Sequence, residues 1–130
     1  SSDVCSSDLA LRDFYERLLT ALRTAEVGAG QARLLTPRPA WPGNPTHRHF
    51  VLVQWQNAQP AFALVVANLA PHRAQCYAPL SVPGLRGRTW RLHDLLGSER
   101  HERAGDDLAA RGLYLDLPAH GAQLFLARPD

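Results

Sequence analysis

Histidines, carboxylates and two cysteines are the side chains of this 130-residue chain that could carry chemistry. Their spacing decides which chemistry is open. His47-Arg48-His49 sets two imidazoles at i, i+2, which could begin a metal site, but no third ligand follows at a recognisable spacing. Asp116 and His120 lie either side of a Pro118-Ala119 step and have no partners at a catalytic spacing. Glu99 and Glu102 flank a turn, Asp106-Asp107 is a turn pair, and Asp94 ends a strand, so all of them default to surface or turn roles. Serine-nucleophile hydrolysis would use a Gly-x-Ser-x-Gly turn, and the chain has none. Cys5 falls in the opening Ser1–Asp8 segment, which leaves Cys76 alone in the domain and makes a disulfide or cysteine metal site improbable. Trp41 differs from these, because it sits in a Pro-rich loop where an exposed indole could offer a flat apolar face to a sugar ring. The competing reading folds Trp41 back onto the domain. These residues therefore suggest no catalytic, cofactor or metal site, and Trp41 is the one possible carbohydrate contact.

Composition narrows the partners. Fourteen Arg without Lys, and twenty-one Leu without Ile or Met, follow the bias of GC-rich coding. The net charge of +2 is spread over scattered Arg rather than gathered in a stripe, so no nucleic-acid partner is expected. No 18-residue apolar run exists, so no membrane span is expected. Residues 1–8 lack the basic and apolar regions of a signal peptide and read as a leader foreign to the domain. The absence of Met suggests a processed chain or a piece of a longer one, and leaves the compartment open. The length fits one domain with a sizeable core.

The elements that would position these residues follow from periodicity. Leu11, Phe14, Tyr15, Leu18, Leu19 and Leu22 gather on one side of a helical wheel over 9–25, with charges of both signs opposite. Ser7 or Asp8 can cap its start, and Gly28 lies beyond its end. The mixed charge argues for core packing rather than a membrane surface. Extended segments follow at 31–36, 50–56, 61–69, 74–80 and 88–96. Short extended pieces at 102–103 and 107–109 are separated by a turn at 104–106. Pro37 to His49 holds four prolines and is expected to be an irregular loop. Leu113, Leu115 and Leu117 alternate with Tyr114 and Asp116 in a strand that Pro118 ends, and Gly121 reverses the chain into 122–127. Seven to eight short strands between turns predict an all-β, antiparallel Greek-key sandwich preceded by one amphipathic helix. Strand 61–69 is apolar on both faces, which calls for a cover on its outer side.

Four segments in order, Leu11–Arg23, Leu64–Leu69, Thr89–Leu96 and Gly112–Phe125, resemble the C-terminal end of alpha-amylase family glycoside hydrolases. In that family the helix would be the last outer helix of the TIM-barrel catalytic domain, and the strands its C-terminal β-sandwich. Beyond the leader at 1–8, the resemblance implies that last helix at 9–27 and the sandwich at 28–130. Two features depart from the family pattern: His120, where relatives often have an aromatic residue, and the 37–49 loop.

The family's catalytic carboxylates, about 5–5.5 Å apart in a retaining enzyme, sit at the ends of barrel strands. No barrel strand is present, so no catalytic residue carries over. The resemblance therefore implies a non-catalytic fragment that stabilises a barrel acting on alpha-glucans. Its partners would be that barrel and an alpha-glucan polysaccharide. One alternative is a carbohydrate-binding module using Trp41, and another is an independent β-sandwich interaction domain.

Overall fold

The computed structural model of the chain describes residues 31–56 and 61–129, together with Glu16 and Thr20. Those two residues are helical, and Thr20 Oγ1 donates to the Glu16 carbonyl at 2.9 Å, as the expected helix requires. The rest of the helix over 9–27, the leader 1–8 and the turn at 57–60 lie outside the described residues.

The described chain runs β1 (Gln31–Leu35), β2 (Phe50–Gln56), β3 (Phe62–Asn68), β4 (Ala74–Ala78), β5 (Thr89–Asp94), β6 (Arg100–Ala104), α1 (Gly105–Arg111), β7 (Leu113–Leu117) and β8 (Ala122–Pro129). Six strands form one sheet in the order β1-β2-β3-β8-β5-β6, and β4 pairs with β7 in a second. Every pairing is antiparallel. The chain leaves the large sheet after β3, returns at β5, leaves again for β7 and returns as β8 between β3 and β5. This is the expected all-β sandwich. Its last strand is inserted at the centre of the large sheet, so the sheet closes only when the C-terminus is in place.

The core lies between the sheets. Across the register Leu52 faces Val66, Leu64 faces Phe125, and Leu92 faces Ala127, so these side chains share the inner face. From the small sheet Cys76, Leu113, Leu115 and Leu117 meet them, all buried. Trp90 is fully buried, lies 5.3 Å from the Phe62 ring, and donates its indole N–H to the Leu85 carbonyl at 2.9 Å. Burying each such large side chain contributes on the order of 2–3 kcal/mol.

Three sequence expectations change. The segment read as a turn at 104–106 and an extended piece at 107–109 is helix α1. Its reasons are local: Asp106 and Asp107 occupy the first turn, Leu108 and two alanines favour helix, and Arg111 pairs with Asp107 at 3.5 Å. Gly112 ends it at φ 89°, a conformation that other residues rarely adopt. The 37–49 loop is likewise less irregular than expected. Arg38 makes a two-bond bridge to Tyr77 on the free edge of β4, and Thr46–His49 forms a short 3-10 turn. β5 also stops at Asp94, short of the expected 96, because Leu95 and Leu96 form a turn.

Candidate functional site

The residues that could contact a ligand fall on the outer sides of the two sheets. On the small sheet, β4 and β7 place Gln75 opposite Asp116 and Tyr77 opposite Tyr114. Leu113, Leu115 and Leu117 point into the core, so strand alternation forces Tyr114 and Asp116 outward. The two tyrosine rings meet at 5.5 Å and 62°. Asp116 Oδ1 accepts from Arg73 Nη1 at 3.0 Å and from Gln75 Nε2 at 3.2 Å, which fixes both neighbours. Tyr114 is 46% exposed. Partial desolvation first, and the Asp116 carboxylate next, push its phenol above the usual value, so it stays a hydrogen-bond donor at neutral pH.

The 37–49 loop is tied to the same side. Thr46 Oγ1 accepts the Gln75 backbone N–H at 3.1 Å, and Asn44, 3% exposed, donates to Thr46 and accepts the His47 backbone N–H. Trp41 stands in this loop 49% exposed, with its carbonyl taking the Asn44 N–H at 3.0 Å. Trp90 is in the core, and Trp55 is half-buried on the outer face of the large sheet.

His47 and His49 are not brought together as ligands. His47 Nδ1 lies 2.9 Å from the Asn44 carbonyl, which makes that nitrogen the protonated one, while the His49 ring packs edge-on against His72 at 5.3 Å. Among the described residues no group of three or more His, Cys, Asp or Glu is disposed to hold a metal ion. Cys76 is buried, and burial pushes its thiol up to about 12, so it is an inert core residue rather than a nucleophile.

The carboxylates serve turns and pairs. Asp94, read from the sequence as a surface or turn residue, is 4% exposed and takes the turn role. Its Oδ1 accepts the backbone N–H of Leu96 at 3.0 Å and of Leu124 at 3.2 Å. Gln123 Nε2 bridges Asp94 at 3.4 Å and Glu99 at 2.7 Å, and Glu99 pairs with His101 at 3.3 Å. Asp106 accepts the Gly87 N–H at 3.0 Å. His120 is exposed at φ 55°, and its backbone N–H bonds the Ala70 carbonyl at 3.0 Å. Sequence reading missed the buried amides Gln123, Gln54 and Asn68. Their signal was present, since each is a polar residue at an inward position of an otherwise apolar strand.

The second surface is the outer face of the large sheet. It carries Leu34, Val51, Val53, Trp55, Val65 and Ala67, of which Leu34 is 74% and Val51 38% exposed. Ala63 and Leu124 on the same face are buried, with Trp55, Val65, Leu95 and Leu96 packed against them. β3 is therefore apolar on both sides, as the sequence indicated.

No family model matches the sequence, and no curated protein matches it. Among solved structures the fold is similar to a chain from Bacillus halodurans C-125 assigned as an alpha-N-acetylgalactosaminidase. The TM-score is 0.50 at 13% identity, over 75% of this chain. This chain spans 21% of the length of that structure. The likeness is one of fold alone.

Proposed function

We propose that this chain is the non-catalytic C-terminal region of an alpha-amylase family glycoside hydrolase, in which the sandwich at 28–130 packs on and stabilises a catalytic barrel whose last helix is 9–27. The observation that carries the reading is the apolar outer face of the large sheet. Leu34 and Val51 stand exposed there beside Val53 and Val65, a surface that suits burial against a larger body. The glycoside-hydrolase-related fold agrees with it. Asp94, Glu99, Asp106, Asp107 and Asp116 cap turns or pair with a cation, amide or backbone N–H, which suits a supporting role. The test is reducing-sugar release from starch by the purified chain. None above the blank is expected, and sustained release abolished by boiling would contradict the reading.

A second reading has an observation of its own. Trp41 is half exposed rather than folded back, so the chain could act as a carbohydrate-binding module through that indole. Quenching or a shift of Trp fluorescence on adding maltooligosaccharides, lost in Trp41→Ala, is its expected signature. Unchanged fluorescence up to millimolar ligand would count against it.

A further inference from the structure

We propose that the outer face of the β4–β7 sheet is an oligosaccharide-binding platform, built by Tyr77, Tyr114, Gln75 and Asp116, that takes a short neutral alpha-glucan. The choice of alpha-glucan rests on the glycoside-hydrolase reading above, whereas the platform itself rests on geometry. The four side chains form a two-by-two array, with Gln75 opposite Asp116 and Tyr77 opposite Tyr114. Cross-strand and along-strand spacings make the array roughly 5 by 7 Å, the footprint of about one pyranose ring.

Its chemistry matches a sugar in kind. A pyranose has an apolar C–H face that stacks on an aromatic ring and a rim of hydroxyls that need both donors and acceptors. Tyr114 presents an aromatic surface 46% exposed, braced by Tyr77 at 5.5 Å. Asp116 and the Gln75 amide supply the acceptor and the mixed donor–acceptor beside it. Both are held in place before any ligand arrives, Asp116 by Arg73 at 3.0 Å and Gln75 by its own bond to Asp116 at 3.2 Å. Such pre-ordering lowers the entropy lost on binding. The Asp116 charge is balanced by Arg73, so the array suits an uncharged polyol rather than a phosphate or polyanion.

The test is calorimetric titration of the full 130-residue chain with maltoheptaose, in parallel with cellohexaose and N-acetylgalactosamine, at low and at 0.5 M salt. Maltoheptaose is expected to bind with a weak, salt-independent affinity. Tyr114→Ala should weaken it about tenfold with the chain still folding cooperatively. Tyr114→Phe, which keeps the ring, should retain most of the affinity. Maltoheptaose binding that is lost in Trp41→Ala but unchanged in Tyr114→Ala overturns this platform while leaving the alpha-glucan reading standing. Binding of cellohexaose or N-acetylgalactosamine alone, sensitive to Tyr114→Ala, overturns the ligand class and with it the support for an alpha-glucan parent. Loss of binding at 0.5 M salt, or no binding of any of the three, overturns the proposal.

Discussion

Asn68 shows how much a single polar side chain can hold in this sandwich. It is 1% exposed at the end of β3. Its Nδ2 donates to the carbonyls of His72 at 3.0 Å and Pro118 at 2.9 Å, and its Oδ1 accepts the Ala70 N–H at 3.0 Å. One amide thus joins the β3–β4 and β7–β8 connections. Asn68→Ala strands buried backbone groups in both, and should lower the unfolding free energy by about 2–3 kcal/mol in urea denaturation. An unchanged midpoint would contradict that role. Cys76 carries a pH signature. Below pH 9 its thiol is protonated in folded and unfolded chains alike. From there towards the folded value of about 12, only the unfolded chain ionises, so stability falls as pH rises. In a Cys5→Ser background, denaturation midpoints should drop between pH 9 and 11, and Cys76→Ala should lessen the drop. A drop of equal size in both would contradict it. Cys76 was legible as an isolated cysteine from the sequence, but its burial was not, because alternation within 74–78 is set by pairing with β7.

At the scale of the element, the strands were the most readable part and α1 the least. Strand alternation at 113–117 and the two-faced apolar run at 61–69 are read against the two-residue period of a strand, and the structure reproduces both. Seven residues of helix give barely two turns, too few for a 3.6 period to outweigh the glycine and two aspartates that suggest a turn. What makes the helix fit is glycine at both ends. A Cβ at Gly105 would lie 1.7 Å from the Leu85 carbonyl oxygen, and one at Gly112 would lie 2.3 Å from the Ala78 carbonyl oxygen at φ +89°. Gly112→Ala combines left-handed strain with backbone overlap and should cost at least about 2–3 kcal/mol. Gly43→Ala, strained at φ +83° but in open space, should cost about 1 kcal/mol. Chemical denaturation of the two variants checks the ranking, and equal losses would contradict the close approach of Gly112 to the Ala78 carbonyl.

For the whole molecule, the sandwich class was legible because turn residues separate short strands, while the assignment of strands to sheets was not. β8 enters between β3 and β5, far from its sequence neighbour β7, and only tertiary packing selects that place. The candidate site was legible in part. Trp41 stands out by type and loop context, but the Tyr77–Tyr114 pair appears only when β4 and β7 are set in register. The apolar outer face was foreseen from strand 61–69. Charging its exposed edge, as in Leu34→Glu with Val51→Lys, should change the stability of this chain by no more than about 1 kcal/mol, since both side chains are already wet. In a parent enzyme the same pair should lower the melting temperature of the barrel, and an unaffected barrel would contradict docking through this face. The measurement that bears most directly on the proposed function is the coding sequence upstream of Leu9. An in-frame (β/α)8 barrel with paired catalytic carboxylates, ending in the helix at 9–27, is the expected result. A start codon directly before the helix, or an unrelated domain in frame, would contradict it.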